Sequence, residues 1–214
     1  MEPSRGILES LFQEGVVSVP DVMHFDPDAA LERVERLFWE HGTAATSIQD
    51  VANATGLNRS SLYATFGDKR HLFRAALRRY LDERALPAMR ALASDGRGLA
   101  AVDAFFDGLI DVRCTGEFAG LGCMIVNAHV GPERADPEVQ AMLDEHHRAI
   151  RDALHSALET ARTRGDLAAG ASPEATAETL ALLAYAVNLR SRAGADADTL
   201  RATITAAVMP LSTR

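Results

Sequence analysis

An all-α protein of about nine helices is the fold class this sequence predicts, with a small N-terminal helical module followed by one larger helical domain. Three observations point there. Apolar residues recur at i, i+3 and i+4 along most of the chain, the period of a helix with one buried face. Strong β-run signals are few, while Ser, Asn, Asp or Pro before an apolar run and Gly after it punctuate the chain as helix starts and stops. A length of 214 residues, 47% of them hydrophobic, suffices for one small module and one larger domain but not for two large ones.

Residues 1–26 are expected to form a flexible arm. Ile7, Leu8, Leu11 and Phe12 can line one side of a short helix, but Gly15 and Pro20 interrupt it. The first helix is expected from about Asp28 to Glu40, with Leu31, Val34, Leu37 and Phe38 as its buried stripe and Gly42 as its stop. A second, short helix follows Thr46, whose hydroxyl at the N-cap can accept from an orphan backbone N–H while Gln49 answers as in a capping box. Ile48, Val51 and Ala52 make its apolar face, and Gly56 supplies the positive φ that ends it near Thr55. Asn58 can cap a third helix in which Leu62 faces the core while Arg59, Ser60, Ser61 and Tyr63 cover the opposite side. The fourth helix runs from near Asp68 to about Ala93, with Leu72, Phe73, Ala76, Leu77, Tyr80 and Leu81 inward. Pro87 is expected to kink or end it.

The stretch from Thr46 to Lys69 is therefore a helix, a glycine turn and a second polar helix, a geometry found in DNA readers and in ordinary α-bundles alike. The exposed face of the third helix suits a major groove, because Arg pairs bidentately with guanine while Asn and Ser reach base edges or phosphates. Charge strengthens the DNA reading. Between residues 58 and 79 stand Arg59, Lys69, Arg70, Arg74, Arg78 and Arg79 against Asp68 alone, a local excess of the kind phosphate contact needs, in a chain whose net charge is −8. The expected partner is duplex DNA bound at one face. One short recognition helix offers few base contacts, so a two-fold dimer on a palindrome is expected to double them.

Further along, Asp95-Gly96-Arg97-Gly98 reads as a loop, and residues 99–114 as a helix with Val102, Phe105, Phe106, Leu109 and Ile110 inward. Cys123 to His129 reads as a short, deeply buried helix ended by Gly131-Pro132. A long helix between Asp136 and Arg164 is closed by Gly165. Ser172 at the N-cap and Pro173 at N1 start a helix over 173–191, and a last one spans 196–209. In these two, Leu180, Leu183, Ala184, Val187, Leu200, Ile204, Ala207 and Val208 can pack internally or against a second copy.

With Leu37-Phe38 and His41-Gly42 ahead of Thr46, then Asp50-Val51-Ala52, Gly56, Ser61-Leu62-Tyr63, Phe66, Lys69 and Leu72-Phe73, residues 28–80 resemble the N-terminal domain of the TetR/AcrR family of transcriptional regulators. The Tyr63-x-x-Phe66-x-x-Lys69 ending is the most specific part of the match. The resemblance implies three helices forming a DNA-binding domain (residues 27–87, helix-turn-helix motif about 47–66). A long fourth helix then leads to a helical ligand-binding and dimerisation domain (88–214), in which the last two helices form the homodimer interface. It implies phosphate contacts from Thr46 and Ser47, a groove-facing set of Asn58, Arg59, Ser60 and Ser61, Tyr63 near the end of the recognition helix, and Lys69 against the backbone. Phe66 is expected in the core. Where many relatives carry a basic arm before the first helix, this chain has Phe25-Asp26-Pro27-Asp28, so no extra contact is expected from that side. The implied function is a repressor released from a palindromic operator by an unknown small-molecule effector. An activator of the same fold, and a helical small-molecule-binding or enzymatic protein not using DNA, stay open as alternatives.

Candidate ligand-lining residues are Phe105, Phe106, Leu109, Cys123, Met124, Asn127, His129, His147 and Tyr185, a mainly apolar set with a few polar points that suits a small organic molecule and a packed core equally. Some relatives sense electrophiles through a thiol in this domain, a role the resemblance opens for Cys123. Cys114 and Cys123 are too few for a disulfide scaffold and lack zinc spacing. Adjacent His146 and His147 diverge by about 100° on a helix and cannot chelate one ion together. No metal or cofactor is expected. Nor is an enzyme, for want of a glycine-rich phosphate loop, nucleophile elbow or metalloprotease motif. No apolar run approaches the roughly 20 residues of a membrane span, and no signal-peptide pattern opens the chain, so the cytoplasm is the expected compartment.

Overall fold

A computed structural model describes residues 25–213. Of the expected arm over 1–26, all but Phe25 and Asp26 lies outside the described residues. Asp26 turns out to be the N-cap of α1 (Pro27–His41), its carboxylate accepting from the Asp28 N–H at 2.9 Å. The acidic approach noted in the sequence is therefore a helix cap, and α1 starts at the proline rather than after it.

The α2 helix (Ile48–Thr55) begins one residue later than expected. Ser47, not Thr46, is its N-cap: the Ser47 hydroxyl accepts from the Asp50 N–H at 3.1 Å, and Asp50 accepts from the Ser47 N–H at 2.7 Å. Thr46 is buried in the turn after α1, where its hydroxyl donates to the Gly42 carbonyl at 2.7 Å. The carboxylate of Asp50 is the stronger acceptor. Gln49, expected to close the box, instead accepts from Arg59 at 3.0 Å. Gly56 ends α2 in the left-handed region at φ 75°, where an L side chain would be strained.

Asn58 caps α3 (Arg59–Phe66) by accepting from the Ser61 N–H at 2.8 Å, and Asp68 caps α4 (Lys69–Tyr80). A π-helical turn (Leu81–Ala85) joins α4 to α5 (Leu86–Ser94) in one rod. Pro87 has no N–H to give the preceding turn, and the chain answers by widening that turn rather than ending the helix. Then come α6 (Leu99–Cys114), α7 (Met124–Ala128), α8 (Pro137–Thr163), α9 (Pro173–Arg192) and α10 (Ala197–Val208). With the rod as one helix, that makes nine α-helices among the described residues. The described residues hold no strand, only an isolated bridge between Leu167 and Ser212.

Two apolar cores organise these elements. The first gathers Val34, Phe38, Leu62, Phe73 and Leu77 from α1 to α4, and also Ile125 from α7 and Leu143 from α8. The second gathers Phe106, Ile110, Leu154, Leu158, Leu180 and Ile204 from α6, α8, α9 and α10. Along the last two helices Leu180, Ala184, Val187, Leu200, Ile204 and Val208 are consumed by this internal packing, and the large apolar side chains left outside on α9 are Leu182 and Leu189. No described helix is long and apolar enough to cross a membrane.

Candidate nucleic-acid interface and internal cavity

The exposed surface of α3 and its flanks is small. Asn58, Arg59 and Ser60 are exposed, Ser61 is half-buried, Tyr63 is 48% exposed, and only Leu62 of the helix is buried. Phe66 packs half-buried against the first core, as expected. Ser47 is exposed, but Asp50 already occupies the anion position at the start of α2, taking both the Ser47 N–H and its hydroxyl, and those bonds hold the Asp50 carboxyl below its usual range.

Most of the basic excess counted over residues 58–79 is committed elsewhere. Arg70 and Arg74 both bind Asp136, at 2.5 and 2.6 Å, where α8 begins. Arg74 also reaches Glu138, Arg78 pairs with Glu145 at 2.6 Å, and Arg79 pairs with Glu83 at 2.7 Å and Glu35 at 3.3 Å. Arg84 in the π turn donates to Glu35 at 2.6 Å. These arginines strap the rod to α1 and α8. Among the described residues Arg59 and Lys69 enter no ion pair.

Two of the strap carboxylates, Glu35 and Asp136, differ. Burial raises the Glu35 carboxyl above its usual value despite both arginines, whereas hydrogen bonds from Arg70 first and Arg74 next hold the Asp136 carboxyl far below it.

Behind the rod lies a cavity of about 640 Å³. Met89, Leu92, Phe105, Leu109 and Ile150 supply apolar wall, and Trp39, Tyr80, Arg84, Arg113, Phe118, Cys123, His146, Tyr185 and Asn188 line it too. Trp39 belongs to α1. Its indole N–H donates to the Gly122 carbonyl at 3.1 Å, and its ring stacks on Phe118 with centroids 5.0 Å apart. Gly122 must be glycine twice over: its φ is 65°, and a Cβ there would stand 2.9 Å from the Asn188 carbonyl oxygen. Arg192 of α9 donates to the carbonyls of Trp39, Glu40 and Leu121, tying the end of α1 to the same loop.

Of the ligand candidates named from sequence, Phe105, Leu109, Cys123 and Tyr185 line this cavity. The other five do not. Phe106 and Met124 are buried in the cores. Asn127 donates to the Leu121 carbonyl at 2.9 Å, His129 packs against Tyr185 with ring centroids 5.4 Å apart, and His147 pairs with Glu178 at 3.2 Å. Adjacent positions on a helix point apart, so it is His146, not His147, that faces the cavity. Trp39, Phe118, Arg113, His146 and Asn188 escaped sequence reasoning. Arg113 carried a signal: it lies on the stripe of Phe106 and Ile110, a cation where the period calls for an apolar side chain.

Burial pushes the Cys123 thiol up, but the hydrogen bond and charge of His146, then Arg113 and Tyr80, bring it down to about 6. Among the described residues no group of three or more His, Cys, Asp or Glu side chains could hold a metal ion.

Residues 30–76 match the family model for bacterial regulatory proteins of the tetR family, and residues 98–207 match the tetracyclin repressor-like C-terminal domain. The chain belongs to the TetR family of transcriptional regulators. It is 30% identical over 178 residues to the HTH-type transcriptional repressor ComR of Escherichia coli (strain K12), covering 82% of this chain and 84% of that one. To the HTH-type transcriptional regulator YezE of Bacillus subtilis (strain 168) it is 31% identical over 144 residues, 67% of this chain and 73% of that one. Among solved structures, a cysteine mutant of the TetR family regulator CifR, complexed with a 26bp double-strand operator DNA, superposes with a TM-score of 0.76 at 25% identity, over 87% of this chain and 97% of that one. As a TetR-family member this chain is a DNA-binding regulator, in a class of regulators rather than enzymes.

Proposed function

We propose that the chain is a cytoplasmic repressor, working as a homodimer on a palindromic operator and released from it by a small organic effector. Residues 27–87 are the DNA-reading unit and 88–214 the effector and dimer unit. Arg59 reads bases from the exposed face of α3 with Asn58, Ser60 and Ser61 beside it, while Lys69 and Tyr63 meet phosphates and Ser47 reaches one when its hydroxyl turns away from Asp50. Thr46 serves from inside the turn, by fixing where α2 starts. Leu182 and Leu189 on α9 belong to the surface that meets the second copy.

The observation that carries this function is the shared wall of the cavity. Trp39 of α1 and Tyr80 and Arg84 of the rod face the same space as Phe105, Leu109 and Tyr185 of the larger unit. A molecule filling that space touches both units at once, so it can favour one setting of α1 and the rod over another. A preference for a setting in which the two recognition helices are wrongly spaced must weaken operator affinity by the same factor by which operator weakens the ligand. Selection of bound fragments from the source genome tests the DNA half: a palindrome whose binding falls steeply with salt is expected, and retention of no fragment at low salt overturns it.

A further inference from the structure

We propose that the effector is an apolar anion, a carboxylate on a hydrocarbon or aromatic body, whose charged end pairs with Arg113. This deepens the proposed function and rests on the cavity being the effector site. Arg113 is 9% exposed, in the last turn of α6. Its Nε donates to the Asn188 side-chain oxygen at 2.6 Å, its Nη2 donates to the Tyr80 hydroxyl at 3.0 Å, and the guanidinium lies over the Trp39 ring at 5.7 Å. All three partners are uncharged in form. Among the described residues Arg113 has no carboxylate within ion-pair distance, in contrast to Arg70, Arg74, Arg78, Arg79 and Arg84 of the rod, each of which has at least one.

A guanidinium keeps its charge in a protein and offers five donors, so burying it without a carboxylate partner leaves it undercompensated. The cavity's own carboxylates are spoken for: Glu83 is held by Arg79 at 2.7 Å, and Asp95 by Arg97 at 2.6 Å. The Cys123 thiol of the wall is brought down first by the hydrogen bond and charge of His146 and only then by Arg113, so it answers His146 before Arg113 and offers the guanidinium no planar, two-oxygen partner. A carboxylate is the planar, bidentate partner a guanidinium fits best. Met89, Leu92, Phe105, Leu109 and Ile150 then offer an apolar lining for its body. A cationic ligand would meet Arg113 as a like charge, and a neutral one would leave it as it is.

Trp39 is the chain's single tryptophan and lines the cavity, so its fluorescence reports occupancy in the unmodified protein. The experiment titrates the full chain with octanoate and with octanamide, which share size and shape but not charge. Octanoate is expected to change Trp39 emission at a concentration at least roughly tenfold lower than octanamide, as befits a charge-assisted bidentate pair. Arg113→Gln is expected to erase that preference, and Arg113→Lys, which keeps the charge, to retain most of it. Equal binding of the two compounds to the unmodified protein overturns the anion assignment while leaving the cavity as the effector site. Binding of neither overturns the cavity assignment, and the anion with it.

Discussion

Two sets of cations share the segment from Arg59 to Arg84, and they differ in what holds them. Arg59 and Lys69 sit beside the exposed surface of α3 and enter no ion pair among the described residues, whereas Arg70, Arg74, Arg78, Arg79 and Arg84 end on carboxylates of α1, α8 or the rod itself. A charge count along the sequence treats both sets alike. Only the partners, up to 67 residues away in the chain, separate those left to meet DNA from those that join one unit to the other. An arginine already on a buried carboxylate has less to offer a phosphate, since leaving its partner strands a charge.

The largest effect is expected at the reading face. Arg59→Ala should weaken operator binding by about 1–3 kcal/mol per half-site and relax the preference at one base pair, measured on a randomised half-site library. Unchanged affinity and preference would remove α3 from base reading.

Next comes the strap to α1. Glu35 is 1% exposed between Arg79 and Arg84, so Glu35→Ala should cost about 2 kcal/mol in denaturant unfolding, somewhat less than a fully buried pair because Arg84 is part-exposed. Its raised carboxyl fixes the sign with pH. The folded state holds that proton more tightly than the unfolded chain, so the contribution is full below the ordinary value of 4.5 and is lost as pH rises through the folded value. The stability of Glu35→Gln relative to the unmodified protein should therefore improve as pH rises through that window.

The strap to α8 should behave oppositely. The Asp136 carboxyl is depressed by Arg70 and Arg74, so its contribution is present above 3.8 and is lost as pH falls through the folded value. Asp136→Asn should be the less stable protein at neutral pH, with the gap closing only in strong acid. A pH-independent gap in either pair would break the contrast between a carboxylate governed by burial and one governed by its hydrogen bonds.

How much of this was legible in the sequence follows from the range of the interactions. Periods and caps are local, so α3, α6, α8 and α9 begin and end within a few residues of their expected bounds, and Ser172-Pro173 starts α9 as read. The start of α2 slipped by one because Thr46 and Ser47 are both good caps; burial of Thr46 against Gly42 decides between them. The cavity was half legible. Phe105, Leu109, Cys123 and Tyr185 are apolar or soft residues on inward faces, whereas Trp39 comes from a helix nearly 70 residues ahead of Phe105 in the chain and reaches the cavity only through the tertiary approach of α1 to the Gly122 loop. Arg113 stands out in the sequence only as a cation on the stripe of Phe106 and Ile110, and its lack of a carboxylate partner, which gives it a role, shows only in the fold.

The division of the cations is tested most directly by the salt dependence of operator affinity. The slope of log affinity against log salt counts phosphates neutralised, at about 0.9 for each. Lys69→Ala is expected to flatten the slope by about 1 per half-site and to weaken all sequences alike, while Arg78→Ala leaves the slope as it was. If Arg78→Ala flattens the slope as much as Lys69→Ala does, the rod arginines meet phosphate, and the separation of readers from straps is contradicted.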